Sequence, residues 1–425
     1  MGTTAEKLNY LLETKEAIKG AIEAKGVEVV ETDTFRSYAD KIGEIQSGRL
    51  TSAAPNDVNF RDYDGTILHS YSKEEFLLLN SMPELPEQDG LVCKRWTWTL
   101  EEAIDYVNKY GSLEIGASYD TSEKDMAGSI RLYITILDIT RPYVAVYFEQ
   151  RMAYSTVVDW GDGTTSETEA KQGRIGISHK YERPGDYVIR LFSNGQIRIG
   201  TSSGDTGLLG EVDKTSSSYA GTPRMNMLRK LEIGGYSPIW SYALRCCYSL
   251  KSVVLSWDIY GNLDNWIFNG CRNLDYIVIP KDLTGLGEYI FGDCSSLRSI
   301  SLSPNTTGLG DYAFYNCMSL SKITLPPKLS SIGSYAFRNC RSLSSIVIPE
   351  GVTTIGDNAF ELCTGLEKVD CSHLIAVPTL GSKAFNTIRS ACKIIVPDSL
   401  YDEWIAATNW STYASQIVKA SEYNG

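Results

Sequence analysis

The chain has 425 residues, with 40 Lys and Arg against 52 Asp and Glu and a formal charge of −12. Acidic and basic residues are mixed, which argues against nucleic acid or an anionic membrane as the main partner. No run approaches the roughly 20 apolar residues that span a bilayer, so no membrane insertion is expected, and the length suits about two to four domains.

Residues 4–25 read as a helix, with Leu8, Leu11, Ile18 and Ile22 on one stripe and Lys15 interrupting it. Its heptad spacing serves equally to join copies of the chain into a bundle or to pack the helix on its own neighbour. Gly26 stops it, Val27 to Val30 form a short strand, and Thr34 caps a second helix carrying Phe35, Tyr38, Ala39 and Ile42 on one face. Ser47 to Pro55 is small and polar, a linker. Lys7 to Lys19 together with Phe35 to Ile42 resembles the N-terminal module of tail and fibre proteins of tailed phages. That resemblance implies that 1–48 attaches the chain to other virion proteins and that copies form a homotrimer. Glu6, Lys7 and Glu13 leave no apolar stretch of a secretory signal near Met1. Folding in a host cytoplasm, with release in a particle or by lysis, is the expectation.

Residues 56–111 read as a small α+β unit. Val58 to Tyr63 and Thr66 to Tyr71 flank Asp64-Gly65 as a hairpin. Ser72 with Glu75, and Thr99 with Glu102, are capping boxes, and Gly111 ends the second helix. Asp62 and Asp64 are read as turn residues rather than metal ligands.

Residues 112–200 are β-rich. Val158-Asp-Trp-Gly-Asp-Gly-Thr164 predicts a strand running into a tight turn that needs Gly161 and Gly163. With His179-Lys-Tyr-Glu-Arg-Pro-Gly-Asp-Tyr-Val188 it resembles the polycystic-kidney-disease (PKD) type of immunoglobulin-like β-sandwich, which implies a spacer or binding module. Asp159 and Asp162 lack the six to eight oxygens a calcium site needs. Thr201 to Thr222, rich in Gly, Ser and Thr, is a linker or an entrance loop.

Residues 223–425 repeat. Phe268-x-x-Cys271-x-x-Leu274 recurs from Phe291, Phe314, Phe337 and Phe360, each 23 residues after the last, and a degenerate copy starts at Leu244. Each Leu opens an alternating run such as Leu343-Ser-Ser-Ile346-Val-Ile348-Pro349, where Pro ends the strand because it cannot donate to a ladder. An Ile-Gly pair such as Ile332-Gly333 leads to the next Phe. A period in the twenties is the mark of a solenoid. Ala313, Phe314 and Cys317 have helical or 3₁₀ spacing. The repeats resemble the BspA-type leucine-rich repeat, roughly L-x-x-I-x-I-P, a turn, then I-G-x-x-A-F-x-x-C, over about Leu228 to Val396. The resemblance implies surface-exposed recognition and adhesion. Glu403 to Trp410 reads as a helix closing the stack. Six of the ten Cys, Cys247 to Cys363, hold one repeat position; they are read as reduced and buried, packing as small hydrophobes.

The expected fold class is multidomain α+β: N-terminal helices, a small α+β unit, an immunoglobulin-like sandwich and a leucine-rich-repeat solenoid. His69, His179 and His373 lie in different modules, and no nucleophile, phosphate-loop or zinc motif stands in a suitable context. No catalytic, metal or cofactor-binding residue is assigned. The candidate ligand face is the pair of strand side chains that each rung turns outward: Tyr276 and Val278, Ser299 and Ser301, Lys322 and Thr324, Ser345 and Val347, Lys368 and Asp370. Such a face suits weak contacts to a host-surface glycan or protein, multiplied by repetition, or it is merely solvated or packed on a neighbour. The function expected is that of a virion structural protein, a fibre or fibre-tip subunit recognising a host cell. The alternative is a bacterial cell-surface adhesin, and a third reading is a glycan-degrading fibre enzyme.

Overall fold

The computed structural model describes residues 57–88, 91–121, 130–137, 143–193, 197–200, 208–210, 227–234, 238–256 and 259–423. The helices and strand expected in 1–48 lie outside these residues.

The α+β unit forms as its local signals dictate. Strands β1 (Val58–Arg61) and β2 (Ile67–Tyr71) pair antiparallel, and Gly65 takes φ +91° in the turn. Helices α1 (Lys73–Phe76) and α2 (Leu100–Tyr110) each start with a complete capping box, Ser72 with Glu75 and Thr99 with Glu102, and Gly111 closes α2 at φ +88°. Strands β3 (Leu91–Trp96) and β4 (Leu113–Thr121) complete a sheet of order β2-β1-β4-β3. Residues 113–121 were expected to open the β-rich region. They belong to this sheet because β4 finds a parallel partner in β1, a pairing that requires a crossover such as α2 supplies. Phe60, Phe76, Trp96, Val107, Leu113 and Ile115 fill the core beneath.

Next come β5 (Ile130–Ile136), β6 (Tyr143–Gln150), β7 (Thr156–Asp159), β8 (Thr165–Glu167), β9 (Gly173–Lys180), β10 (Gly185–Ser193), β11 (Ile197–Ile199) and β12 (Leu209–Gly210). The chain then runs through β13 (Leu228–Ile233) and β14 (Ser252–Val254). One sheet has the order β14-β13-β5-β10-β7-β8; in the other, β6 pairs β9, β11 and β12. Both bury residues in one core, among them Leu132, Phe148, Trp160, Tyr181 and Leu191. The Trp-Gly-Asp-Gly turn is satisfied internally. Trp160 Nε1 donates to Ser166 Oγ at 2.9 Å, and the Tyr181 hydroxyl donates to the Trp160 carbonyl at 2.8 Å. Asp159 accepts the Gly161 N–H; Asp162 accepts the Thr164 N–H and hydroxyl, and its other oxygen meets His179 Nε2 at 2.7 Å. A Cβ on Gly161 would lie 2.6 Å from the Val188 carbonyl oxygen, so the turn admits no side chain there.

β13 is antiparallel to β5 and parallel to β14. The strand that opens the repeat region is therefore also a strand of the preceding sheet. A terminal solenoid rung exposes unpaired backbone groups along its edge, and β5 covers them.

The repeats stack as parallel rungs with two ladders. One joins Gly261–Leu263, Leu283–Leu286, Gly308–Leu309, Ser331–Ile332, Thr354–Ile355 and Thr379–Leu380. The other pairs Tyr276–Val278 with Ser299–Ser301, and further on Ser345–Val347, Lys368–Asp370, Lys393–Val396 and Ile417–Lys419. Lys322 to Thr324 bury Ile323 but form no strand.

The Phe-x-x-Cys segments are tight turns, not the helical or 3₁₀ segments expected. Each has two residues of positive φ, such as Tyr312 and Asn316 or Tyr335 and Asn339. The physical reason is that a helix would spend its N–H groups internally. Here Phe291, Phe314 and Phe337 donate theirs to Ala313, Ala336 and Ala359 of the following rung, at 2.7–2.9 Å. The rings of Phe268, Phe291, Phe314, Phe337, Phe360 and Phe385 stack 5.1–5.5 Å apart. The thiols of Cys294, Cys317, Cys340 and Cys363 each donate to the Phe carbonyl one rung back, at 3.0–3.2 Å, and all ten Cys are free. Trp404, Trp410 and Tyr413, on and after α3 (Tyr401–Ala406), close the far end, with Phe385 5.7 Å from Trp410.

Candidate recognition surfaces

Alternate residues of a strand share a face, and eight of the ten candidate residues stand on strands of the second ladder; Lys322 and Thr324 stand between its two parts, where no strand forms. That face is not open. The α+β unit lies along it, and two glycines set how closely. A Cβ on Gly65 would stand 2.8 Å from Tyr276 Cβ, and one on Gly116 would stand 2.7 Å from both Val278 methyls. Tyr276, Val278, Ser301 and Thr324 are consequently buried, and Ser299, Lys322 and Val347 are half-buried, Val347 against the core of the α+β unit. Lys368 pairs with Asp370 at 3.2 Å and its ammonium lies over the Tyr423 ring, which leaves Ser345 as the exposed member of the set. At Tyr276, Val278, Ser301, Lys322 and Val347 the expected ligand face is corrected to an internal interface with the α+β unit. Ser301 suits it because its Oγ donates to the Glu114 carbonyl of β4 at 3.3 Å.

The charge at the centre of this interface is Glu114, only 2 % exposed. Its carboxylate accepts from Asn59 at 2.9 Å, pairs with Arg61, and meets the Lys322 ammonium at 3.1 Å. Burial alone would push this carboxyl up. The Lys322 and Arg61 charges outweigh burial and hold it below the usual range. Farther along, the Tyr106 hydroxyl donates to the Leu325 carbonyl at 2.9 Å, Lys281 pairs with Glu102 at 2.7 Å, Lys109 pairs with Glu350, and the Tyr110 ring meets His373 edge-on at 5.2 Å.

The turn side carries a feature that the sequence reading passed over. Tyr242, Trp266, Tyr289, Tyr312 and Tyr335 occupy the first positive-φ position of successive turns, with φ between 51° and 68°. Their rings stack at 5.9, 3.9, 4.2 and 4.6 Å with planes within 16°, and all five are half-buried. Tyr315 packs edge-on against Tyr289 and Tyr312. Arg245 lies over Trp266 at 5.0 Å, and Arg338, held by Glu361 at 2.6 Å, lies over Tyr335 at 5.8 Å. Burial, then the neighbouring Tyr312, pushes the Tyr289 phenol up to about 12. The signal was in the chain: Trp266, Tyr289, Tyr312 and Tyr335 recur at the same 23-residue period as Phe268 and its successors.

Among the described residues no cluster of three or more His, Cys, Asp or Glu could hold a metal ion, and no helix is long and apolar enough to cross a membrane.

Comparison with known proteins locates the family likeness in the solenoid. Residues 227–341 and 307–403 match the BspA type Leucine rich repeat region, in six copies. A search of curated proteins finds no match. Among solved structures, a leucine-rich repeat protein from Bacteroides ovatus is 21% identical over 42% of this chain and 58% of its own, with a TM-score of 0.28. The leucine-rich repeat protein of T. pallidum is 20% identical over 41% of this chain and 86% of its own, with a TM-score of 0.28. A leucine-rich cell surface protein from Faecalibacterium prausnitzii is 24% identical over 39% of this chain and 44% of its own, with a TM-score of 0.27. The chain thus spans little more than half of the first of these. Its C-terminal part, from Met227 to Glu403, matches the BspA-type repeat region and folds as a solenoid of parallel rungs.

Proposed function

We propose that the chain is a surface recognition protein that binds rather than catalyses, with its repeat solenoid as the displayed element. The observation that carries this reading is that the solenoid is held by both neighbours while its turn side stays outward. β13 ties it to the preceding sheets, and the α+β unit closes its strand side through Glu114 and Lys322. More narrowly, the protein is a fibre or fibre-tip subunit of a tailed phage, located in the virion. Residues 1–48 attach it to other virion proteins, it assembles as a homotrimer, and it contacts a glycan or protein of the host cell. The likeness of Lys7 to Ile42 to fibre attachment modules supports this, as does the PKD-like pair of motifs around Trp160 and His179. A second reading, a bacterial cell-surface adhesin, is supported by the BspA-type repeats themselves.

The test is the mass in solution of the full chain and of a chain lacking residues 1–48. The fibre reading expects a trimer that falls to a monomer on truncation. A monomeric full chain removes it, and labelling on intact bacterial cells but not on purified particles favours the adhesin.

A further inference from the structure

Resting on that recognition reading, we infer that the contact surface is the aromatic column of the turn side, and that its partner is a neutral polyhydroxylated chain, a glycan. The α+β unit already occupies the strand side at Tyr276, Val278, Ser301, Lys322 and Val347, whereas the turn side carries a repeat of its own. The column stands at a backbone position that does not call for rings. Bulky residues are disfavoured at positive φ, and the next two rungs fill the same position with Asn358 at φ 53° and Lys383 at φ 55°. Five aromatics in a row are therefore a choice that the turn itself does not impose.

The stack also preorganises them. Each ring is held by its neighbours before any ligand arrives, so little side-chain freedom is lost on binding. Because the faces cover one another, the column shows ring edges and a row of phenol hydroxyls. Exposed Glu288 and Asp311 each stand one residue before a Tyr of the column, and Arg245, Tyr315 and Arg338 pack on its rings. Carboxylates accept from sugar hydroxyls; phenols and guanidinium groups donate to them. With both signs present the strip selects neither a polyanion nor a polycation. A protein partner would need an apolar core within about 800 Å² of contact per side, and here the apolar ring faces are already occupied by one another. The repetition along the solenoid axis matches a polymer, whose weak contacts add along its length.

The experiment is electrophoresis of the full chain through native gels that each contain one neutral polysaccharide: dextran, mannan, galactan or a β-1,3-glucan. At least one should retard the protein. The double variant Tyr289→Asn with Tyr312→Asn should bind that polysaccharide about tenfold more weakly or worse. Asn is chosen because Asn358 adopts this turn, and an unchanged melting profile shows that the variant is folded. Wild-type protein retarded by none of the four, or a double variant retarded as strongly, overturns the assignment. Adsorption of the wild type to intact bacterial cells that survives periodate and is lost on protease treatment also overturns it, in favour of a protein partner, while the recognition reading stands. Absence of adsorption to any cell tested counts against the recognition reading itself.

Discussion

Lys322 separates the two uses of the strand side, because it was a candidate ligand contact and is a partner of buried Glu114. Lys322→Met keeps most of the side-chain length and removes the charge. Breaking a buried ion pair costs about 3–5 kcal/mol, but Arg61 and Asn59 remain on Glu114 and Lys322 is itself 33 % exposed. Screening and the remaining partners bring the expected loss to about 1–2 kcal/mol. Differential scanning calorimetry at neutral pH should show the transition about 2–4 °C lower. Hydrogen exchange should quicken in β4 and α2, where the α+β unit meets the solenoid. The pH dependence has a definite sign. The folded carboxyl of Glu114 sits below its unfolded value, so its contribution is present above that value and is lost as pH falls through the folded one. In wild type the loss falls below about pH 4.3. In Lys322→Met burial meets less opposition, and the loss begins at higher pH. An unchanged melting temperature with unchanged exchange in β4, alongside weakened adsorption to cells, would refute the interface and restore Lys322 as a ligand contact.

Two further predictions concern the stack. A Cβ on Gly333 would stand 2.6 Å from the Gly310 carbonyl carbon, a backbone atom that cannot swing aside. Gly333→Ala should therefore cost about 1–3 kcal/mol in chemical denaturation, and a cost under about 0.5 kcal/mol would show that the rungs separate freely. The column thiols of Cys294, Cys317 and Cys340 are fully buried, and burial pushes each well above the ordinary thiol range. Iodoacetamide should leave them unmodified in the native protein and label them only after unfolding; native labelling, or a disulfide within the column, would contradict the packing.

Much of this was legible because it is local. Ser72 with Glu75 and Thr99 with Glu102 close their loops within four residues. Asp64-Gly65 turns a hairpin by its own backbone preferences, and the 23-residue period brings like residues together whatever surrounds the stack. One local reading failed. Ala313-Phe314-x-x-Cys317 has helical spacing, yet its N–H groups serve the next rung, so turns win. Tyr312 and Tyr335 share the period of the Phe column, a signal the reading of the repeat left unused.

Chain chemistry alone settled the repeat, its reduced thiols and the columns of Phe, Cys and Leu, since each rung buries only what the next one repeats. Tertiary structure alone decided that β4 joins β1, that β13 serves two sheets and that the strand side is covered at Tyr276, Val278 and Ser301. Those outcomes rest on contacts such as Ser301 with Glu114, 187 residues apart, and Tyr106 with Leu325, 219 apart. A strand face of Ser, Thr, Lys and Val reads the same in water as against another polar surface, and only the arrival of Gly116 and Glu114 distinguishes the two.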